Sequence, residues 1–559
     1  MELVNKLNLI LKEYSQGHKK SSYKKLKKLY IKHNNPKIKF NLAVMEQELG
    51  YYELAKQKYY FLVKEKNHIP SMINLYLLEL KNNNFKSSLE IINKILKKDK
   101  SNVNVLIDKA FVYFKIKKIN ESIKICNNIL IQNNNNTKAI NILGLCYENI
   151  GDIASALKIL LEGVEIDKYD IGILNALGKI YHNQREFDNA EKYFKKALEV
   201  DSNNYLTLNN LAGLYVEEGL YEESIIYYEK ALKEDSKNHI ILNNISKAYF
   251  NLNNIKLAKQ YCLNAKKINP NNDDIDKNLS LIYLKKLNFQ DGWKYFDGRL
   301  GLSEFSARNE TLMNVQSKLL KNSKINKDSK ILVLREQGVG DEILYGSMYR
   351  DLINYCSNVT IECDERLLSI FRYSFDQNKR NIFTKLGDIT QNPNKLDKFE
   401  YVLYAGSLGK YFRNSFNAFP DKHFLKLEDK IIINSKNKLK KLKNKFKIGI
   451  SWKSFKNRYF RDKSIDLQDL KKIIHIPNCD FINLQYGNIS EELENFNQLN
   501  GNKIHTIKEV DIYKDLESLA GLLKNLDLFI SVSNSTAHLA GALGIKTFLI
   551  KPFNHATFH

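Results

Sequence analysis

A tyrosine recurs every 34 residues, at Tyr113, Tyr147, Tyr181, Tyr215, Tyr249 and Tyr283. Chance does not hold one register through six positions, and a period of this length is the signature of a helix–turn–helix unit repeated along the chain. A column of small residues runs in parallel: Ser88, Ser122, Ala156, Ala190, Ser224, Ala258 and Gly292. Gly163, Ala197, Ala231 and Ala265 form a third. A bulky side chain fills the space between two helices, and small ones let the backbones approach, so each unit is read as a helix pair. About eight such pairs are expected in the first half.

Gly144 and Gly178 stand ahead of their tyrosines, and "IDKYD", "VDSNN", "EDSKN" and "INPNN" close successive units. On these residues the stretch 103–290 resembles the tetratricopeptide repeat. Upstream, residues 1–102 are expected to hold degenerate helical repeats, of which "NLAVMEQELGYYELAKQKYYFLV" still looks like one unit. The resemblance implies an α-solenoid curled into a superhelix, its concave face lined by the first helix of each pair. Asn141, Asn175, Asn209 and Asn243 lie on one stripe of those first helices, and Asn210, Asn244 and Asn278 form a second row. A carboxamide offers a donor and an acceptor to a peptide backbone. The second row occupies the place of the asparagine ladder in protein O-linked N-acetylglucosamine transferase, to which the layout is similar, and this implies a groove for an acceptor or partner protein. Asn is so common in the chain that composition is the other reading of the ladder, and both stay open.

Beyond residue 290 the period stops. Residues 291–330, opening with "DGWKYFDGRL", read as a linker, and strand–turn–helix patterns follow. Candidate strands are "SKILVLRE", "VTIEC" and "EYVLYAG" in residues 331–433, then "IGISW", "DFINLQYG", "IHTIK", "LDLFISV" and "KTFLI" in residues 448–559. The Lys/Asn-rich connector 434–447 separates the two series. Alternating strands and helices imply parallel sheets in two doubly wound halves, with a ligand in the cleft at the carboxyl ends of the strands.

Two turns carry candidate chemistry. In "SVSNSTAHLAGALG" the residues Ser533, Asn534, Ser535 and Thr536 fall where a strand ends and a helix begins, so free N–H groups, hydroxyls and the positive end of a helix dipole converge. An N-cap accounts for the serines equally well, but not for His538 one turn later. In "REQGVGDEIL", Gly338 and Gly340 permit a tight turn, and Asp341 follows at the mouth of the cleft, where an Asp is also an ordinary cap.

The order "LREQGVGDEIL", "IGISWKS", "RDKSIDL", "INLQYG", "VDIYKDLESLAGLLKNLDLFIS" and "NSTAHLAGALG" resembles the glycosyltransferase domain that follows such repeats in many bacterial proteins. That domain is similar to the family 9 glycosyltransferases, the heptosyltransferases, with the two-half GT-B fold; the likeness covers residues 103–552. "DGWKYFDGRL" resembles the segment leading into it. The resemblance implies an inverting, metal-independent transferase whose donor is a nucleotide-diphosphate sugar, bound as substrate rather than cofactor. On the matching positions it implies Asp341 as general base, Lys453 on the donor diphosphate, Ser535, Thr536 and His538 at the phosphate-side turn, and Leu484, Gln485 and Tyr486 along the nucleotide base. Ser533 departs from the family's frequent Asp. The family also continues past "KPFNHATFH", so either the second half is trimmed or the chain is a fragment. The alternative is a non-catalytic scaffold whose repeats bind proteins and whose transferase-like region has lost turnover.

The charge balance, 87 Lys+Arg against 63 Asp+Glu, raises nucleic acid as a partner. The excess is spread along the chain without a basic block interleaved with aromatics, so nucleic-acid binding is not expected. Six cysteines show no CxxC or Cys/His ligand spacing, which reads as reduced thiols rather than a metal site. Residues 1–20 lack the apolar core of a signal peptide, and no apolar run is long enough for a membrane span. A cytoplasmic protein is the expectation.

Overall fold

The computed structural model describes residues 2–302, 315–320, 325–376, 381–442, 446–454, 464–501 and 503–551. They divide into two compact units, Met1–Glu234 and Asp235–His559.

The first unit is helical throughout, with fourteen helices from Glu2–Ser15 to Tyr221–Glu234 paired as seven hairpins. The start of each first helix is set by a cap at the repeat period. Asn102, Asn136, Asp170 and Asn204 accept hydrogen bonds from the amides of Val105 (3.3 Å), Ala139 (3.0 Å), Ile173 (3.0 Å) and Thr207 (3.2 Å). Each satisfies a donor that the first helical turn leaves open. The last residues of the segments that close one unit are thus the caps of the next. The small columns act as expected: Ala156, Ala190 and Ala197 are fully buried, and a Cβ at Gly178 would lie 2.6 Å from the Phe194 ring. The tyrosine column has a second, unanticipated partner column twelve residues on. Tyr181 stacks on Tyr193 with centroids 5.6 Å apart, and Tyr215 meets Tyr227 at 5.5 Å.

The second unit opens with two more hairpins of the same kind, from His239–Asn251 to Phe289–Phe296, capped in register by Asn238 and Asn272. Among the described residues there are therefore nine hairpins rather than about eight, the additional one lying upstream of residue 103 where the motif fades.

Two parallel sheets follow. The first comprises β1 (Ile331–Leu334), β2 (Val359–Cys363), β3 (Phe383–Lys385) and β4 (Tyr401–Tyr404) in the order β3-β2-β1-β4. The second comprises β5 (Phe446–Ser451), β6 (Cys479–Asn483), β7 (Ile504–His505), β8 (Leu528–Val532) and β9 (Thr547–Ile550) in the order β7-β6-β5-β8-β9. Strands β1, β5 and β8 are buried along most of their length, as parallel strands covered on both faces must be. One apolar core joins residues of both sheets, including Val333, Ile361, Ile482 and Phe529.

Residues 291–302 are not a linker. Trp293 is 3% exposed, and its Nε1 donates to the Arg413 carbonyl at 2.8 Å. Arg299 is equally buried and grips Glu336 with two bonds, Nε–Oε2 at 2.7 Å and Nη2–Oε1 at 2.8 Å. A guanidinium out of water needs such a partner, so this segment packs into the core of the half built around the first sheet. Further along, the Leu320 amide donates to the Val402 carbonyl at 3.0 Å beside β4. The expected connector 434–447 likewise begins inside a helix, Asp429–Lys438, where Asn525 Nδ2 bonds the Ile432 carbonyl at 2.9 Å. The positions 552–559, on which the expectation of a trimmed end rests, lie outside the described residues.

Candidate functional site

The carboxyl ends of three strands in the second sheet are tied by one buried network. Gln485, just after β6, accepts at Oε1 from Ser451 Oγ (2.9 Å) and from the amides of Trp452 (2.8 Å) and Lys453 (2.7 Å). Asn534, after β8, donates to Ser451 Oγ at 2.7 Å and accepts from the Ala537 amide at 3.1 Å. The cap of the Ser535–Leu543 helix is therefore Asn534. Ser535, at the first helical position, is half-buried, and Thr536, at the second, is 2% exposed. Of the expected base-side residues, Leu484 is buried with its amide on the Ile450 carbonyl, and Gln485 is spent on the clamp. Tyr486 alone of the three presents a side chain that is not buried.

Beside it opens a cavity of about 590 Å³, walled by Tyr486, Gly487, Ser490, Asp511, Ile512 and Tyr513 among others. The rings of Tyr486 and Tyr513 stand 5.9 Å apart at 41°. Rings this close and tilted pack on each other and form one aromatic wall of the cavity.

Lys453 lies where β5 ends, as anticipated. Its ammonium is engaged by Glu492 at 2.5 Å, and Trp452 Nε1 donates to the same carboxylate at 3.3 Å. Glu492 sits in the first turn of the Ser490–Asn500 helix, where a negative charge is favoured by the helix dipole. Nothing in the sequence links two residues 39 positions apart, so Glu492 could not be found from the chain alone. The Arg461–Lys463 part of the "RDKSIDL" motif lies outside the described residues.

In the first half, the turn after β1 carries Gln337 at φ 60° and leads into the Val339–Gly346 helix. Asp341 Oδ2 accepts from the Gly338 amide at 3.2 Å, so the carboxylate caps its own helix. Gly340 permits a close approach: a Cβ there would lie 3.0 Å from His538 Cδ2 and 3.3 Å from Ser535 Cα. The Gly-rich turn and the Ser-rich turn thus meet, bringing Asp341, Ser535 and His538 into one neighbourhood.

A chain of charges links this turn to the cavity. Glu342, buried, accepts the Asp364 amide at 2.9 Å and faces Arg335 Nε at 3.5 Å. Arg335 and Arg366 both hold Asp364, at 2.6 Å and 2.9 Å. Arg366 then donates to the Tyr513 carbonyl at 3.2 Å, with its guanidinium carbon 5.0 Å from the ring centroid. Burial pushes Glu342 up to about 7, a shift that the Arg335 charge only partly opposes. Burial acts to raise Asp364 as well, but the Arg366 hydrogen bonds and both guanidinium charges outweigh it and hold the group down at about 2. Glu342 and Arg335 stand inside the quoted motif, yet their roles depend on Asp364 and Arg366, which the motif does not contain.

The asparagine rows of the repeats bond largely to one another and to neighbouring helices. Asn175 Nδ2 donates to Thr207 Oγ1 at 2.7 Å, and Asn210 reaches Asn175 Oδ1 at 3.5 Å. In the second unit, Asn278 donates to Asn243 Oδ1 and Ser246 Oγ, both at 3.0 Å, and Asn243 donates to Asp274 at 2.7 Å. Asn243 and Asn278 are 3% and 4% exposed, so neither is presented to a bound peptide. That corrects their expected place in a groove: burial commits them to joining successive hairpins. Asn141, Asn209 and Asn244 are half-buried on their first helices.

Family profiles of the tetratricopeptide repeat match residues 170–233 and 240–272, and the profile "Psidin, N-terminal TPR repeats region" matches 74–193. Over 232 residues the chain is 28% identical to Protein FlbA of Caulobacter vibrioides, a match covering 40% of this chain and 39% of that protein. Among solved structures, a tetratricopeptide repeat protein from Parabacteroides merdae aligns at 15% identity over 44% of this chain and 98% of its own, with a TM-score of 0.36. The APC/C hetero-tetramer Cut9-Hcn1 aligns at 17% identity over 50% of this chain and 55% of its own, also at 0.36. Among the described residues no helix is long and apolar enough to cross a membrane. The chain carries tetratricopeptide repeats, a scaffold for protein interaction, followed by a region of parallel sheets.

Proposed function

We propose that the α/β region is a glycosyltransferase of the GT-B type, taking a sugar from a nucleotide-diphosphate donor, and that the repeats hold the acceptor or a partner protein. The observation that carries this reading is the meeting of the two turns at Gly340, linked through Glu342, Asp364 and Arg366 to a tyrosine-walled cavity at the end of β6. A nucleoside base stacks against the aromatic wall that Tyr486 and Tyr513 form together, and the diphosphate lies toward Lys453 and the amides that open the Ser535–Leu543 helix. On this reading Glu492 holds the Lys453 ammonium until the diphosphate replaces it.

The reaction follows from the charges. An acceptor hydroxyl attacks the anomeric carbon, the carbon–oxygen bond to the diphosphate breaks, and the hydroxyl proton passes to the Asp341 carboxylate. Attack opposite the leaving group inverts the anomeric centre. The Lys453 ammonium and the helix N-terminus stabilise the departing diphosphate.

Calorimetric titration with UDP, ADP and GDP tests the donor site. One nucleotide binds saturably, and Lys453→Ala weakens it by about tenfold or more. If none of the three binds, the reading fails. The scaffold alternative then takes its place, supported by the Asp341 carboxylate serving its own helix and by the Lys453–Glu492 pair.

A further inference from the structure

The first hairpin carries a feature that the sheet region does not use. The helix Lys19–His33, "KKSSYKKLKKLYIKH", holds seven lysines and no carboxylate. Its groove with the Glu2–Ser15 helix is a shallow, open depression of about 350 Å³. The floor is apolar, formed by Leu9, Ile10 and Leu29, and the rim is Lys6, Lys28 and Lys32. Lys25 closes one side by pairing with Glu13 at 2.7 Å. Leu9 is 59% exposed.

Spacing decides what shape of ligand the groove fits. Lys6, Leu9/Ile10 and Glu13 form one ridge at i, i+3/i+4, i+7, and Lys25, Lys28/Leu29 and Lys32 form the facing one. Two parallel ridges flanking an apolar floor receive the ridge of a third helix. The inner side of the hairpin shows this packing: Leu7, Ile10, Tyr14 and Leu26 are buried in a cluster with Ile38 and Leu42 of the following helix, and Leu29 packs against it. We propose that the groove between Glu2–Ser15 and Lys19–His33 docks an amphipathic, acidic helix of a partner protein, its apolar stripe on Leu9, Ile10 and Leu29 and its carboxylates against Lys6, Lys28 and Lys32.

The geometry favours this occupant over two others. An anionic bilayer takes up a broad apolar face, whereas of this groove's apolar residues Leu9 alone is exposed, Ile10 being 8% exposed and Leu29 half-buried. Single-stranded nucleic acid needs aromatic faces for its bases, and none lines the groove.

The experiment uses the full chain and a fluorescent synthetic helix of about five turns, with leucine on one stripe and glutamate elsewhere. Fluorescence anisotropy is expected to show saturable binding. A peptide of the same composition in scrambled order, the Leu9→Glu chain and the Lys28→Glu/Lys32→Glu chain should each weaken binding by about tenfold or more. Leu9, Lys28 and Lys32 are all exposed, so these variants keep the hairpin, which circular dichroism verifies. Absence of saturation up to about 1 mM overturns the proposal. So does equal binding of the scrambled peptide, indifference to Leu9→Glu, or stronger retention of the chain by phosphatidylserine vesicles or by a single-stranded oligonucleotide.

Discussion

The helical hairpins and the α/β region solve the same problem, burying enough apolar surface, in opposite ways. Each hairpin is fixed by short-range devices: a cap, a small residue and a tyrosine, repeated every 34 residues. The α/β region depends on single, irreplaceable contacts between distant positions, such as Arg299 with Glu336 or Gln485 with Ser451 and Lys453. Damage to a hairpin should therefore stay local and modest, whereas damage to one keystone should spread through the sheets. The two tryptophans, Trp293 and Trp452, are both buried in the second unit, so their fluorescence reports that unit separately from total helicity.

The largest effect is expected from Arg299→Ala. It strands Glu336 in the core and should cost about 3–5 kcal/mol. The tryptophan transition falls by several degrees while most far-UV helical signal melts as before. If both signals shift together, the contrast between the regions is wrong.

Glu342 comes next, and its effect depends on pH. Its folded-state value of about 7 lies above the 4.5 of a free glutamate, so the folded chain binds this proton more tightly than the unfolded chain. The resulting stabilisation is complete below pH 4.5 and is lost as pH rises through about 7. Glu342→Gln removes that loss. The tryptophan-monitored stability of the variant should exceed the wild type at pH 8 by up to roughly 3 kcal/mol, and the gap should close by pH 5. A gap independent of pH would show that the carboxyl is already charged in the fold.

Gly340→Val places a branched side chain against His538 and Ser535. Overpacking of this kind costs about 1–3 kcal/mol and should separate the two turns. The checks are tryptophan-monitored denaturation and loss of nucleotide affinity; retention of both would mean that the turns do not touch in solution.

The smallest effect is expected for Asn136→Ala, which removes one of the periodic caps. It should cost about 1 kcal/mol, read by circular dichroism, with the tryptophan signal unchanged. A loss as large as that of Arg299→Ala would mean that the hairpins are as interdependent as the sheets.

What was legible in the sequence follows the same division. The repeat period was visible because every unit writes the same residues at the same spacing, and "VTIEC" coincides with β2 because a buried parallel strand is an uninterrupted apolar run. The caps Asn102, Asn136 and Asn204 went unrecognised because asparagine was weighed as composition or as a ladder. Strand β3, three residues long, leaves too short a pattern to see. The segment around Trp293 and Arg299 read as a linker because its partners, Arg413 and Glu336, are remote in sequence. Asp341, Ser535 and His538 could be named from their motifs. Glu492 and Tyr513 could not, since they join the site only through folding.

The central claim, a nucleotide-diphosphate sugar site where the two turns meet, is tested most directly by hydrogen–deuterium exchange of the full chain with saturating UDP, ADP or GDP. One nucleotide should slow exchange in residues 486–490, 511–513 and 535–538 and leave the helices between residues 103 and 200 unchanged. Absence of protection with all three, or protection confined to the repeats, would contradict it.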